Sequence, residues 1–214
     1  MGAGGDPTGL GRWTWARIRG KGGLIFWYAS VYCPCENKEG KIAVWSQQKT
    51  YLQNHNDDRD PRKAFVEDLK SHIKQWIDEG DQVLLCGDLN HDVTSPTNVS
   101  FFESMHMANL LHERHAPQDA PSTYYLDEQG RSVDGIWGTP GLRATQGGYL
   151  RPEEFPGNHS LLWLDISYQA ALGYNPPRPQ TFGARRLQLQ DKRCVKRYIK
   201  SYRAQIQFYN LPQR

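Results

Sequence analysis

The chain has 214 residues, of which 38% are hydrophobic, 12% aromatic and 23% charged. This composition is sufficient for one globular core and excludes a wholly disordered chain, and the length is too short for two full domains. Its longest apolar run, residues 24–33, is about half of the roughly 20 residues that a bilayer crossing needs, which excludes a membrane span. The net charge of +3 is uneven, because residues 185–214 hold nine basic residues and one acidic residue, a net +8 that leaves −5 for the first 184 residues.

The N-terminus and the cysteines indicate the compartment. No basic-then-apolar signal sequence opens the chain. Cys33, Cys35, Cys86 and Cys194 show neither a CxxC pair nor a zinc-type spacing with histidine. We therefore expect reduced thiols and an intracellular protein, in the nucleus or the cytoplasm.

The first predicted element is a β-hairpin. Residues 12–19 alternate large and polar side chains, and the glycine-rich residues 20–23 supply a turn before the apolar run 24–32. Since the second strand is apolar on both faces, we expect it to be central in its sheet and covered on both sides.

Two helices are predicted next. In the first, around residues 42–52, apolar side chains recur at helical spacing. The second has Asp60 as its N-cap, Pro61 at the first helical position and Gly80 as its terminator. Its apolar face is predicted to comprise Phe65, Leu69, Ile73, Trp76 and Ile77.

The following segments favour an α/β domain. Residues 82–86 form a short apolar run directly after a helix, an order typical of an α/β crossover. A helix is predicted over residues 101–111, and strands over residues 132–137 and 161–167, with turns at residues 138–141 and 156–157. We expect the compact domain to span residues 1–170.

A linker and a tail are predicted after the domain. Residues 171–184 contain Pro176, Pro177 and Pro179, which remove backbone donors and stiffen the segment. Residues 185–214 are predicted to form a basic amphipathic helical tail, either a binder of nucleic acid or a solvated helix that docks on the domain or leads into a lost downstream segment. Its apolar stripe comprises Val195, Tyr198, Ile199, Tyr202, Ile206 and Tyr209.

Two polar residues follow the apolar run 82–86. Asp88 and Asn90 stand two positions apart, so their side chains face the same way if the segment is extended. A carboxylate and an amide at a strand end can orient a water and donate to a phosphate oxygen. The same residue types are also those of a turn closed by an Asx cap.

Three further residues complete a candidate site. Asp134 is an acidic residue within an otherwise apolar strand, so it either faces solvent or pairs. A carboxylate on one nitrogen of His159 would fix its tautomer and leave the other nitrogen to act on a substrate. Tyr32, at a strand end, can place its hydroxyl at the same rim. Taken singly, His159 is also typical of a loop histidine and Tyr32 of a half-buried aromatic.

The order of these motifs resembles the endonuclease/exonuclease/phosphatase superfamily. A strand ends at Tyr32 and Pro34, helices follow, and then come the Asp88 to Asn90 motif, the Asp134 strand and His159 before a last strand. The resemblance covers residues 11–169. The Gly-Arg-Trp-Thr-Trp opening at residues 11–15, the Gly-Asn-His turn at residues 157–159 and the basic tail look most like endonuclease domains of retrotransposon-type elements.

The resemblance implies a four-layer α/β sandwich that hydrolyses phosphoesters with Mg²⁺, acting on nucleic acid, DNA rather than RNA. It implies that Asp88 orients the attacking water and that Asn90 and Tyr32 hold the phosphate. His159, supported by Asp134, would stabilise the developing charge or move a proton.

The chain departs from the family's pattern in two places. Asp6 is the only acidic residue among the first 35, where the family has a glutamate metal ligand and an asparagine-bearing strand. Asn158 stands where an aspartate ligand is usual; its oxygen can bind Mg²⁺ but contributes no charge. We therefore expect an N-terminally truncated domain that exposes apolar surface, with Trp13, Trp15, Phe26 and Trp27 as candidates.

Three functions remain open at this point. The first is a Mg²⁺-dependent endonuclease, either by itself or as a fragment that acts with a missing N-terminal segment or a downstream reverse-transcriptase segment. The second is a catalytically inactive remnant that binds nucleic acid through its basic tail. The third keeps the fold but acts on a phosphoinositide or another small phosphoester, which no residue favours.

Overall fold

A computed structural model describes residues 1–35, 42–115, 121–125, 130–150, 157–175 and 190–208. The chain divides into two compact units, Met1–Pro176 and Pro177–Arg214. No helix in the described ranges is long and apolar enough to cross a membrane. All four cysteines are free thiols.

The first unit alternates strands and helices in the following order: β1 (Gly2–Gly5), β2 (Trp13–Arg19), β3 (Ile25–Tyr32), α1 (Val44–Asn54), α2 (Pro61–Asp78), β4 (Gln82–Asp88), α3 (Pro96–Glu103), β5 (Ala108–Asn109), α4 (Leu110–Arg114), β6 (Asp134–Gly138), β7 (Ala144–Leu150), β8 (Leu161–Ile166) and α5 (Tyr168–Leu172). A six-stranded sheet has the order β1-β2-β3-β4-β6-β5, and β7 pairs with β8 in a second sheet. Strands β3 and β4 are parallel, and all other pairs are antiparallel. The predicted hairpin, crossover and α/β class are confirmed.

Helix α2 follows from its sequence. The carboxylate of Asp60 accepts a hydrogen bond of 2.9 Å from the backbone N–H of Arg62 and so caps the helix, while Pro61 needs no backbone donor at this position. Phe65, Leu69 and Ile73 are buried on one face, as their spacing predicts. The helix therefore packs as one wall of the core over the sheet.

The six-stranded sheet carries a core on each face. Odd-numbered residues of β3, including Trp27 and Val31, pack with α2 and α3. Phe26 on the other face packs with β7, β8, α4 and α5. The prediction that four aromatic side chains near the N-terminus are exposed is wrong. Trp13, Phe26 and Trp27 are buried and Trp15 is half-buried, because α2 and the second sheet cover them.

An aromatic stack explains much of this burial. The rings of Trp27 and Trp76 are parallel, with centroids 4.0 Å apart, and Trp15 meets Trp27 edge-on at 5.0 Å. Such pairs stabilise a core beyond the area that they bury.

Strand β3 differs from its prediction on one face. It is central, between β2 and β4, but it is not covered on both sides. Tyr28 is 43% exposed and Tyr32 is 39% exposed, and Ser30 between them is also exposed. The second sheet covers this face at Phe26 and leaves the other end of β3 exposed, where Tyr32 lies beside Asp88 of β4.

Several boundaries also differ from the sequence prediction. The helix expected over residues 101–111 is two helices: α3 begins at the cap Ser95, and α4 begins at a second cap, Asn109. Between them His106 has a φ of 55°, which no helix interior tolerates. Ile42 precedes α1 and is 88% exposed. Strands β1 and β7 were not predicted.

The second unit contains α6, Lys192–Phe208. Tyr198, Ile199 and Tyr202 on this helix are about half exposed, and the rings of Tyr198 and Tyr202 stack with centroids 6.1 Å apart. Six basic side chains of α6 are exposed: Lys192, Arg193, Lys196, Arg197, Lys200 and Arg203. Of the predicted linker, residues 171 and 172 lie in α5 and residues 173–175 follow it, whereas residues 176–184 lie outside the described residues, as does Tyr209.

Candidate active site

Three neighbouring strands bring the predicted site residues into one row. Tyr32 of β3 pairs in register with Asp88 of β4, and Asp88 pairs with Asp134 of β6. Side chains of directly opposed residues lie on the same face of a sheet, so all three project on one side. Gly87 permits this arrangement, since a Cβ there would collide with the carbonyl oxygen of Val31 on β3.

Asp88 and Asn90 form a tight hydrogen-bonded pair. The Asp88 carboxylate accepts the backbone N–H of Asn90 at 2.7 Å and its side-chain Nδ2 at 3.0 Å. Nδ2 also donates to the carbonyl of Cys33 at 2.9 Å, and Asn90 has a φ of 48°. Both N–H groups of the Asn90 side chain are thus used, one by the Asp88 carboxylate and one by the Cys33 carbonyl. The side chain fixes the Asp88 carboxylate, and it could donate to a phosphate only by giving up one of these two hydrogen bonds.

Asp88 lies in an environment that opposes its charge. Burial raises the pKa of its carboxyl group, the backbone N–H of Asn90 opposes this shift, and the nearby Asp134 carboxylate adds to it. A bound cation would offset both the free-energy cost of burying the Asp88 charge and the repulsion between the two carboxylates.

Asp134 and His159 form the predicted pair. His159 Nδ1 lies 2.9 Å from Asp134 Oδ2, and their side chains are 38% and 17% exposed. An ionised Asp134 carboxylate at this distance favours the tautomer with the proton on Nδ1, and Nε2 is the ring nitrogen that Asp134 does not contact. The ring of His159 also packs against Tyr124, with centroids 4.8 Å apart.

The loop around residues 121–125 supports this pair and was missed by sequence reasoning. The hydroxyl oxygen of Thr123, which is fully buried, accepts the backbone N–H groups of Val133 and Asp134 at 2.9 and 3.0 Å. Thr123 does not belong to a recognisable motif, so the amino-acid sequence alone gives no signal for this role.

Tyr32 and Asn158 stand at the margin of the cluster. Burial raises the pKa of the Tyr32 hydroxyl, with a further contribution from the Asp88 carboxylate, so the hydroxyl keeps its proton. Asn158 is exposed, and its backbone carbonyl accepts the N–H of Tyr125 at 2.8 Å. Its proposed metal-ligand role stays a prediction.

Arg62 is a second residue that sequence reasoning missed. Its guanidinium donates to the carbonyls of Pro34, Asn90 and Leu89 at 2.9, 3.2 and 3.3 Å. It thereby ties the loop after Tyr32 to the loop that carries Asn90. An arginine in the first turn of an amphipathic helix has the sequence signature of an ordinary surface residue.

The cluster fits a divalent cation. One ligand atom from each of Asp88, Asp134 and His159 lies within 4.8 Å of the others. The two carboxylates supply the oxygen ligands that Mg²⁺ and Mn²⁺ prefer, whereas the imidazole suits Zn²⁺ and other transition metals.

The comparisons with known proteins support the fold. No protein-family model and no curated protein matches this chain. The 3'-5' exonuclease NExo from Neisseria meningitidis is 15% identical with a TM-score of 0.52, over 78% of this chain and 72% of that chain. A second NExo structure, of a 3' phosphatase bound to a product DNA hairpin, is 14% identical with a TM-score of 0.51, over 78% and 71%.

Other similar structures are longer. An endonuclease/exonuclease/phosphatase protein from Beutenbergia cavernae is 14% identical with a TM-score of 0.50, over 78% of this chain and 44% of that chain. The human Nocturnin catalytic domain is 14% identical with a TM-score of 0.49, over 72% and 53%. The chain thus spans about half the length of these two structures. The part of the chain that these matches cover has the fold of the endonuclease/exonuclease/phosphatase structures.

Proposed function

We propose that this chain hydrolyses phosphodiester bonds in nucleic acid with a divalent cation, Mg²⁺, as its cofactor. The observation that carries the proposal is the convergence of Asp88, Asp134 and His159, whose ligand atoms lie within 4.8 Å of one another. This donor set serves both cation binding and proton transfer. NExo, which shares the fold, is named an exonuclease and binds a product DNA hairpin, so we propose DNA rather than RNA as the substrate.

His159 would move the proton. Asp134 Oδ2 lies 2.9 Å from Nδ1, a contact that orients the ring. Nε2, on the side away from Asp134, would donate to a phosphate oxygen as negative charge develops there. Tyr124 packs on the ring and restricts its rotation.

Asp88 would orient the attacking water, since its carboxylate is fixed by two hydrogen bonds from Asn90. The Tyr32 hydroxyl, which keeps its proton, would donate to a second phosphate oxygen. Arg62 would hold the two loops that carry these groups at their present separation.

The residues for the cation are Asp88 and Asp134, with the amide oxygen of Asn158 as a further ligand. When bound, Mg²⁺ neutralises charge and polarises the phosphate. Because each carboxylate supplies a ligand oxygen and a negative charge, we expect that removing Asp88 or Asp134 weakens cation binding. Titration with Mn²⁺, followed by its paramagnetic relaxation of water, measures this affinity without any turnover.

The test of hydrolysis is nicking of supercoiled plasmid with Mg²⁺ and with EDTA. We expect Mg²⁺-dependent nicking that is lost in Asp88→Ala and in His159→Ala. The matched controls are Asp78→Ala and His55→Ala, exposed residues of the α1 and α2 region whose loss leaves the site intact. Nicking that persists in EDTA, or that survives His159→Ala unchanged, would refute the proposed mechanism.

A second candidate function is binding of nucleic acid by α6 without hydrolysis. The observation that favours it is the row of exposed basic side chains beside the stacked Tyr198 and Tyr202. Binding through phosphate contacts should weaken steeply as salt rises, because counterions are released. Salt-insensitive binding of a DNA duplex, measured by fluorescence anisotropy, would contradict it.

We further propose that the chain is of retroelement type and acts with an additional segment that supplies an acidic ligand. Asp6, the acidic residue nearest the start, is 1% exposed and held by Arg12, so it does not serve the cation. An open reading frame upstream of Met1 that encodes a glutamate-bearing strand would support the additional segment. Mg²⁺-dependent nicking that does not increase when a glutamate-bearing upstream segment is restored would contradict the need for it.

A further inference from the structure

A cavity of about 490 Å³ lies at the end of the six-stranded sheet that is remote from the candidate active site. Its wall includes part of α4, the end of β6 at Gly138 and the turn at residues 139–143 that leads into β7. Asp134 begins β6 and Gly138 ends it, so the candidate active site and the cavity are about 13 Å apart along this strand. The cavity, which we name the α4–β7 cavity, is therefore a separate site.

Buried contacts hold the walls of the α4–β7 cavity in place. Thr139 is 4% exposed, and its hydroxyl accepts the backbone N–H of Val83 at 3.1 Å and donates to Gln82 Oε1 at 2.9 Å. The N–H of Leu142 donates to the carbonyl of Thr139 at 2.9 Å and so closes the turn. The side chain of Asn109 caps the first turn of α4. The backbone is thus fixed on both elements that carry the charged side chains of the cavity.

Two arginines line this cavity without a partner. Arg114 lies in the last turn of α4 and Arg143 directly before β7, and both are exposed. Neither side chain forms an ion pair, a hydrogen bond or a ring contact with any residue that the structure describes. By contrast, Arg12 and Arg59 pair with carboxylates, and the first 184 residues carry a net charge of −5. Both guanidiniums therefore keep their N–H donors for water or for a ligand, in a part of the chain where carboxylates are in excess.

Glu113 and His106 are the other ionisable residues of the lining. Glu113 precedes Arg114 on α4, so the cavity combines two positive charges with one negative charge and keeps a net charge of +1. The ring of His106 offers an N–H donor in either tautomer. Guanidiniums on two separate elements suit an anion that has several charged oxygens, which is the case for a phosphate group. The volume is that of a small-molecule site, so such a phosphate has room for the group to which it is esterified.

We propose that the α4–β7 cavity binds a phosphate group through Arg114 and Arg143. The phosphate belongs either to a small phosphate monoester or to the backbone of a nucleic acid, because both present charged oxygens to the two guanidiniums. Binding at this cavity needs neither a cation nor hydrolysis, so the inference goes beyond the proposed function and does not rest on it. Glu113 borders the cavity, and its negative charge lowers the affinity for an anion.

The experiment measures binding in EDTA, so that metal-dependent hydrolysis does not contribute. Inorganic phosphate is titrated into the full chain labelled with ¹³C at leucine and alanine methyl groups. We expect saturable chemical shift changes at Leu142 and Ala144, which line the cavity. Sodium chloride at equal ionic strength should leave these signals unchanged. Two further probes identify the source of the phosphate: ribose 5-phosphate presents a monoester, and a thymidine oligonucleotide with hydroxyl ends presents only phosphodiesters.

Three variants and one control sharpen the result. Arg114→Gln and Arg143→Gln each remove one guanidinium from an exposed position, so neither threatens the fold. We expect each to lower the affinity for phosphate by about 5- to 12-fold, a loss between that of the strongest exposed ion pairs and that of the weakest hydrogen bonds to a charged group. Glu113→Gln should have the opposite effect and raise the affinity. Arg19→Gln removes the same charge from an exposed arginine of β2 outside the cavity, and it should bind phosphate as the parent chain does.

An affinity that is unchanged in both Arg114→Gln and Arg143→Gln, or that falls equally in Arg19→Gln, would overturn the inference. Shifts that sodium chloride reproduces would overturn it as well. Shifts with ribose 5-phosphate alone would support a small phosphate monoester as the ligand, and shifts with the oligonucleotide would support a nucleic acid backbone. Phosphate binding at this cavity together with an intact plasmid would refute the proposed hydrolysis alone. Mg²⁺-dependent nicking without shifts at Leu142 and Ala144 would refute the role of the cavity alone.

Discussion

The buried ion pair between Arg12 and Asp6 offers the sharpest test of the fold. Their side chains are 0% and 1% exposed, with Nε of Arg12 at 2.6 Å from Oδ2 of Asp6 and Nη2 at 3.0 Å from Oδ1. Nη1 adds a third bond, of 2.9 Å, to Asp68 of α2. Through these bonds Arg12 joins the start of β2 to β1 and to the helical layer.

Arg12→Met removes the cation and leaves the Asp6 carboxylate buried without its partner. Breaking a buried pair in this way destabilises a protein by about 3–5 kcal/mol, because an uncompensated charge remains out of water. The double variant Asp6→Asn with Arg12→Met removes that charge as well. We expect it to recover part of the loss.

Urea denaturation followed by tryptophan fluorescence measures the free energy of unfolding. Lys74→Met is the matched control, since it breaks an ion pair with Asp78 in which both side chains are 59% exposed. That loss should stay below about 0.5 kcal/mol. A loss below about 1 kcal/mol for Arg12→Met, the range of exposed pairs, would show that the Arg12 pair is solvated and refute the reasoning.

The remaining predictions concern acid stability, strand packing and the site loops. Burial by itself would raise the pKa of Asp6, but hydrogen bonds from Arg12 and Thr8 outweigh it and the pKa is lowered. Its stabilising contribution is therefore complete above its unfolded pKa of about 4 and is lost as pH falls through its lower folded pKa. Between about pH 5 and about pH 2, Asp6→Asn should therefore lose less free energy of unfolding than the parent chain in urea titrations; equal losses would contradict this. Gly87→Ala should lower the free energy of unfolding by about 2 kcal/mol, since its Cβ meets the Val31 carbonyl and must push β3 and β4 apart; an unchanged urea midpoint would disprove it. Arg62→Ala should weaken Mn²⁺ binding and nicking by about 10- to 100-fold, as expected when the support of a ligand is removed, with partial recovery in Arg62→Lys. Loss of nicking without any change in Mn²⁺ affinity would exclude a positioning role for Arg62.

Local sequence was sufficient for the elements whose signals are short in range. Helix α2 carries its own cap at Asp60, its own first-turn proline at Pro61 and one continuous apolar face. Its boundaries therefore follow from neighbouring residues alone. Strand β4 was likewise predicted, since the apolar run at residues 82–86 is bounded by turn residues.

Other elements depend on partners that lie far away in the chain. Strand β1 consists of glycine and alanine and forms because Gly2 to Gly5 pair with β2. Strand β7 contains Gly147 and Gly148, which a sequence pattern assigns to a turn, and it exists through pairing with β8. The division of residues 101–111 into α3, β5 and α4 follows the caps at Ser95 and Asn109, which a hydrophobic pattern does not weigh.

The sequence by itself determined which side chains can do chemistry, because residue type and motif order are properties of the chain: Tyr32, Asp88, Asn90, Asp134 and His159 were singled out before any geometry. Only the tertiary structure decided their distances. The register of β3, β4 and β6 sets Tyr32, Asp88 and Asp134 side by side, and the segment before β8 returns His159 to within 2.9 Å of Asp134. The supporting roles of Thr123 and Arg62 arise from contacts across loops, and such contacts exist only after the chain has folded.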